Sequence, residues 1–282
     1  MTLSGTTKLA GVVGNPITHS LSPLLHNAWI SELGLDAAYL ALQLAAPGFG
    51  QFIQGLRGGS IAGLNITLPF KTQALAAADA ASDRARQAGA ANVLVFTPSG
   101  EIFADNTDGV GLLSAFAEQS PGFDPQAGPV AILGAGGAAQ GAAAAFLEAG
   151  CPQVRLINRT LSKAKQAAEA LGDVVLAYDL NDARRAFEGV TAVVNATSAG
   201  LVDGGNFLVP LAATPTTTVV MDMVYKPLKT PFLLQAENLG RPVVDGLAML
   251  IGQAKPSFLA FYGQPVPTTV DARGLALKAL GY

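Results

Sequence analysis

Residues 129–150 read PVAILGAGGAAQGAAAAFLEAG. Val130–Leu133 is a short, wholly apolar run, the pattern of a strand covered on both faces in a parallel sheet. It stops at Gly134-Ala135-Gly136-Gly137-Ala138-Ala139 and passes into an alanine-rich helical segment ending at Glu148 and Gly150. Strand, glycine turn and helix with the spacing G-x-G-x-x-A point to dinucleotide binding. The first glycine permits the tight turn, the second lets a pyrophosphate reach the backbone, and the small third residue lets helix and strand pack closely. Free amides and the positive end of the helix dipole then face the phosphates. In a chain rich in alanine and glycine the same letters also fit an ordinary turn, so the context must carry the rest.

Downstream of this stretch strands and helices alternate. Val154–Asn158, Val174–Tyr178, Thr191–Ala196, Thr217–Asp222 and Pro242–Val244 read as strands. Leu161–Leu171, Asp182–Phe187, Pro231–Asn238, Leu247–Tyr262 and Ala272–Leu280 read as helices, with a kink or break expected at Pro256. Together these predict a doubly wound sheet of modest size. Upstream, Ser120–Pro129 carries three prolines and two glycines and marks a boundary between domains. Before it, Lys8–Val13, Ala38–Leu44, Ile61–Ile66, Ala91–Phe96 and Glu101–Ala104 read as strands. Helices are expected at Leu24–Leu33, Phe49–Leu56, in the stretch ending near Ala88, and at Val110–Phe116. The N-terminal part is thus a second α/β layer with parallel character.

The 282 residues suffice for two domains, and half of them are hydrophobic. A net charge of −3, with 17 basic and 20 acidic residues spread along the chain, gives no basic stripe for nucleic acid or a membrane surface. The single cysteine, Cys151, excludes an intrachain disulfide framework and reads as a packing residue after a helix. His19 and His26 are too few for a metal site, so no metal is expected. The N-terminus lacks the charged and apolar regions of a signal peptide, and a cytoplasmic protein is expected.

The second strand of the nucleotide-binding unit ends in Asn158-Arg159-Thr160, with Lys163 and Lys165 after it and no acid to hold a ribose 2′-hydroxyl. Arg159 can stack on adenine or fork a phosphate, and Lys163 lies a helical turn further on, so NADP is preferred over NAD. Three further stretches carry polar groups at strand or helix ends. In Gly14–Pro23, Ser20 and Ser22 would face one side of an extended loop and present paired hydroxyls; they serve equally well as caps for the next helix. Asn65 and Thr67 alternate with apolar residues at a strand end, where ligands gather in open α/β sheets, and Lys71 follows Pro69-Phe70. A lone lysine is more often a solvated charge, and Asp108 after Asn106-Thr107 also fits a helix-dipole acid.

In chain order these stretches resemble the shikimate dehydrogenases. The match comprises Gly14–Ser22 extended through His26-Asn27, Asn65–Lys71, Gly89–Asn92, Asn106–Gly109, Gly134–Ala138 and Asn158-Arg159-Thr160. It continues through Asn195–Ser198, Asp222–Tyr225 and Asp245–Leu250 to Gln253. The resemblance implies an α/β protein of two domains, an N-terminal α/β substrate domain and a Rossmann-type doubly wound dinucleotide-binding domain. Residues 1–105 with 254–282 would form the first and 106–253 the second, the final helices returning to the N-terminal domain and closing a cleft.

It further implies NADP-dependent interconversion of shikimate and 3-dehydroshikimate. Ser20, Ser22, Asn65, Thr67, Lys71, Asn92, Asp108, Tyr225 and Gln253 would hold the substrate. Gly134, Ala135, Gly136, Gly137, Ala138, Asn158, Arg159, Thr160 and Lys163 would hold NADP, with Met223 and Gly246 near the nicotinamide and Asp83 carried over by likeness alone. Gln140 and Lys163 stand where many members carry arginine, and a lysine lacks the planar fork that grips a phosphate in two places. Ala91-Asn92-Val93 departs from the commoner Val-Asn-Thr but keeps its asparagine.

Oxidation of an alcohol releases a hydride and a proton. With no metal expected, the proton goes to a side chain, and Lys71 with Asp108 is the pair assigned to it, Lys71 accepting and Asp108 orienting. The competing readings are a quinate/shikimate dehydrogenase using NAD as well as NADP, and a catalytically silent NADP-sensing module with a protein partner. The expected partners are otherwise a small-molecule substrate, no nucleic acid and no membrane, in a monomer or homodimer.

Overall fold

The computed structural model describes residues 3–197 and 209–282; Ser198, part of the quoted resemblance, lies outside them. The chain divides into two units, Met1–Thr107 with Gln253–Tyr282, and Asp108–Gly252.

In the second unit β7 (Val130–Leu133), β8 (Val154–Asn158), β9 (Val175–Asp179), β10 (Ala192–Asn195), β11 (Val219–Asp222) and β12 (Val243–Val244) form one sheet in the order β12-β11-β10-β7-β8-β9. Every pairing is parallel. Alternate residues face opposite sides, and both sides are buried. Val130, Ile132, Val154, Leu156 and Val194 join Phe116 and Phe146 on one face. Ala131, Leu133, Ile157, Val193 and Val220 join Phe187 and Phe232 on the other. That is why these strands are spelled as unbroken apolar runs. Helices α5 (Asp108–Gln119), α6 (Gly137–Glu148), α7 (Leu161–Leu171), α8 (Ala183–Ala186) and α9 (Pro231–Asn238) connect and cover them.

The stretch Ser120–Pro129, expected to separate domains, lies inside this unit. Phe123 explains it, with its ring 4.5 Å from Phe116 and 6.2 Å from Phe146. The turn is proline-rich because it reverses the chain, while its one aromatic is used by the core.

In the first unit β1 (Lys8–Gly14), β2 (Ala37–Gln43), β3 (Ile61–Ile66), β4 (Ala80–Ala81), β5 (Val93–Phe96) and β6 (Ile102–Asp105) lie in the order β2-β1-β3-β5-β6-β4. β1 pairs in parallel with β2 and β3, but β5 pairs antiparallel with both β3 and β6. The expectation of parallel character holds for only part of this sheet. Between β5 and β6 the chain turns over Thr97–Gly100, closed by Gly100 N on Thr97 O at 2.9 Å, and so short a link permits only a hairpin.

Alternation along β3 sorts its two faces. Leu64 and Ile66 enter a core with Phe49 and Phe70. Gly63 and Asn65 face the other way, where a Cβ on Gly63 would sit 2.2 Å from the Phe261 ring, so only glycine admits that aromatic. Helices α1 (Ser22–Glu32), α2 (Phe49–Gly55), α3 (Lys71–Ala77), α4 (Asp83–Ala88) and α11 (Ala272–Leu280) complete the unit. The unit division falls within α10 (Gly246–Tyr262), a single helix that runs through Pro256 without the expected break.

Candidate active site

Ligands in open α/β sheets bind beyond the carboxyl ends of the strands, where neighbouring connections leave in opposite directions. In the first unit that point lies between β1 and β3. Thr67 N donates to Val13 O at 2.9 Å and Asn15 N to Leu68 O at 3.0 Å, tying the two outgoing loops together. Gly14 makes the closure possible, because a Cβ there would lie 2.4 Å from Thr67 Cγ2. Phe70 is fully buried and stacked on Phe49 at 4.8 Å, and Ala91 N donates to Lys71 O at 2.9 Å. Lys71, first residue of α3, therefore has a fixed backbone beneath a half-exposed side chain.

Beside it Asn65, Asn92 and Gln253 are buried together. Asn65 Nδ2 donates to Asn92 O at 3.3 Å, and Asn92 Nδ2 donates to Gln253 Oε1 at 3.4 Å and to Thr107 Oγ1 at 3.1 Å. Thr107 N returns a bond to Asn92 Oδ1 at 2.8 Å. Asp108 is the next residue in the chain and opens α5 in the second unit.

Ser20 and Ser22 differ from expectation. Leu21 is helical in backbone and Ser22 already belongs to α1, so the two serines do not share one side of an extended loop. Ser20 is half-buried and its Oγ accepts from Ser22 N at 3.3 Å, which is a capping role; Ser22 is buried. Asp83 opens α4, exposed and paired with Arg86 at 3.4 Å. Its local setting accounts for it as an acid at a helix start.

In the second unit the switch point lies between β7 and β10. Gly134 takes φ +117°, and a Cβ on it would stand 3.3 Å from Ala196 O and 3.5 Å from Ala139, the buried small residue that completes the spacing. Around Gly136 and Gly137 an added Cβ would meet nothing within 4 Å. The turn therefore leaves an open backbone cradle at the N-terminus of α6, the shape a phosphate needs. Ala135 is half-buried and Ala138 exposed beside it, and Gln140 Nε2 donates back to Ala135 O at 3.1 Å.

At the end of β8, Asn158 Nδ2 donates to Thr160 O at 2.9 Å, shaping the turn that leaves Arg159, Thr160 and Lys163 exposed. Among the described residues Arg159 forms no ion pair. Asp179, opposite Asn158 in the neighbouring strand, is engaged by Asn181 N at 2.9 Å and Asn181 Nδ2 at 2.8 Å. The basic corner fits a phosphorylated ribose.

A third feature lies in the quoted stretch Asp222–Tyr225, where the sequence assigned Asp222 no role. Asp222, at the end of β11, accepts from Thr230 Oγ1 at 2.7 Å, Val224 N at 3.0 Å and Asn195 Nδ2 at 3.2 Å. Burial still pushes its carboxyl above the usual carboxylate range, the hydrogen bonds offsetting only part of the effect. The bonds pin the loop bearing Met223 and Tyr225, and burial raises the Tyr225 phenol. A Cβ on Gly246 would lie 2.5 Å from Met223 O, so the start of α10 presses directly on that loop.

Residues 12–94 match the family described as the shikimate dehydrogenase substrate binding domain, and residues 117–203 match shikimate / quinate 5-dehydrogenase. A protein named shikimate dehydrogenase (NADP(+)) from Caulobacter vibrioides is 53% identical over 99% of this chain and 98% of its own length. Among solved structures, shikimate dehydrogenase from Aquifex aeolicus superposes with a TM-score of 0.88 at 32% identity, covering 98% of this chain and 99% of the other. Shikimate 5-dehydrogenase from Thermus thermophilus, solved with NADP(H) and shikimate, gives 0.84 at 34% identity over 97% and 98%. With both halves matched in order and one relative alike over nearly its whole length, the chain belongs to the shikimate dehydrogenase family.

Proposed function

We propose that this protein catalyses the reversible, NADP-dependent oxidation of shikimate to 3-dehydroshikimate, working in the reductive direction in aromatic amino acid biosynthesis, with Lys71 as the proton acceptor. The observation that supports the reading is the open backbone cradle at Gly136 and Gly137, with Arg159 and Lys163 exposed after the next strand, in a sheet of dinucleotide-binding order. Relatives named for NADP and shikimate support it. The same reading makes it a cytoplasmic biosynthetic enzyme, monomeric or homodimeric; no helix among the described residues is long and apolar enough to cross a membrane.

The glycine turn, Asn158, Arg159, Thr160 and Lys163 are the residues that would hold NADP, and the open space at Gly136 and Gly137 fits its pyrophosphate. Held there, NADP would supply the hydride acceptor that oxidation of the carbinol carbon requires. Lys71 takes the hydroxyl proton and returns it to the ketone oxygen in the reverse direction, while Asp108 orients that hydroxyl. Ser20, Ser22, Asn65, Thr67, Asn92, Tyr225 and Gln253 bind the remaining hydroxyls and the carboxylate. A site lined this way discriminates by chemistry, since an analogue that lacks a hydroxyl leaves buried polar groups unpaired.

The test is NADPH formation by the purified protein with shikimate or quinate against NADP or NAD. Shikimate with NADP should be the best pair, by ten-fold or more in kcat/KM, from one or two charge-assisted contacts of ~1.5–3 kcal/mol each to the 2′-phosphate. Equal use of quinate and NAD would replace this reading by the dual-specificity one. Absence of turnover with every pair would leave only a cofactor-binding module.

A further inference from the structure

Tyr39 lies on β2, is 1% exposed and reads in sequence as an ordinary core aromatic. Its phenol oxygen nevertheless bonds a residue proposed to hold substrate. The hydroxyl donates to Asn65 Oδ1 at 2.8 Å. An amide oxygen can only accept, so the single phenol proton belongs to Asn65. The other end of the Asn65 amide is fixed from the opposite side. Its nitrogen donates to Ser257 Oγ at 2.8 Å, and Ser257 Oγ donates to Gln253 O at 3.2 Å. Asn65 and Gln253 are thereby joined through buried Ser257, with buried Tyr39 on the other end of the Asn65 amide.

The Tyr39 ring has its own support. His26 stacks on it at 3.9 Å between centroids and 20° between planes. His26 is fully buried, both ring nitrogens lack a hydrogen-bond partner among the described residues, and Phe258 lies 5.7 Å away on α10. Burying two unpaired nitrogens is unfavourable. The contact His26 makes with its face is against Tyr39.

We infer that Tyr39 and Ser257 are positioning residues for substrate binding: bonded to its oxygen and its nitrogen, they set the orientation of the Asn65 amide. The inference rests on the reading of Asn65 as a substrate group. Tyr39→Phe in the full-length protein keeps the ring and its stack and removes only the oxygen. The KM for shikimate should rise about ten-fold, with kcat within about two-fold and the KM for NADP unchanged, the pattern of lost binding rather than lost chemistry.

A Tyr39→Phe variant that melts earlier but keeps its shikimate KM within about two-fold overturns the inference, for the phenol then serves only the core. Asn65→Ala, measured alongside, separates the two layers. If it does not raise the shikimate KM, the substrate reading has failed; if it raises it and Tyr39→Phe does not, only the positioning role has failed. Should Tyr39→Phe fold poorly, Ser257→Ala removes the opposite anchor of Asn65 and must give the same KM-only change; an unchanged KM there also overturns the inference.

Discussion

Gly134 and His26 show how single residues are committed to this fold for different reasons. At φ +117° Gly134 occupies backbone space that a side chain enters only with strain, and Ala196 O closes the remaining room at 3.3 Å. Gly134→Ala should destabilise the protein by ~1–3 kcal/mol in urea unfolding and weaken NADP binding with it. A variant of wild-type stability would show that the turn relaxes freely. At His26, burial lowers the imidazole from 6.5 to about 3, so the folded state holds it neutral. The unfolded chain binds the proton more readily between those values, and stability is therefore complete above about 6.5 and lost as pH falls toward 3. The loss from this group is ~1.4 kcal/mol per pH unit inside that window. His26→Phe keeps an aromatic plate and removes the titration, so its unfolding free energy should fall less than wild type between pH 6 and pH 4. Parallel slopes for the two proteins would contradict the assignment.

Elements explain which parts of the sequence can be read directly. A parallel strand covered on both faces is written as an uninterrupted apolar run, which is why β7, β8 and β10 are legible almost residue by residue. The glycine turn is legible for the same local reason, since its spacing and its chemistry sit within one strand–turn–helix unit. Periodicity carries no strand direction, so the antiparallel place of β5 is not legible, although the short turn after it holds the clue. Nor is the early start of α1, because Leu21 and Ser22 look like loop residues beside Ser20 and Pro23. Tyr39 and Ser257 are the least visible, since Ser257 meets Asn65 across 192 positions of sequence. Two predictions belong to elements. Arg159→Ala at the end of β8 should raise the KM for NADP about ten-fold or more while leaving NAD kinetics nearly unchanged, because the lost contact is to a charged phosphate. Equal effects on both cofactors would place Arg159 on the adenine instead. Gly246→Ala at the start of α10 would push Met223 O from 2.5 Å and should lower kcat through the displaced loop, an effect absent if the loop yields freely.

For the whole molecule, the division of labour follows from two sheets with separate switch points. Unit 2 has the strand order of a dinucleotide-binding sheet and carries the cradle at Gly134–Ala138 with Arg159. Unit 1 carries Asn65, Thr67, Lys71 and Asn92 at the ends of its own strands, and the return of Gln253–Tyr282 adds Gln253 and Ser257 to it. Chemistry and cofactor binding should accordingly be separable by mutation. Lys71→Ala in the full-length enzyme is the most direct measurement, reading shikimate turnover and NADP affinity on the same sample. Turnover should fall by ~10²–10⁴-fold, the usual contribution of a positioned acid–base group, while the Kd for NADP stays within about two-fold of wild type. Turnover near the wild-type rate, or loss of NADP binding in step with activity, would contradict the assignment of Lys71 as proton acceptor in a unit that does not hold the cofactor.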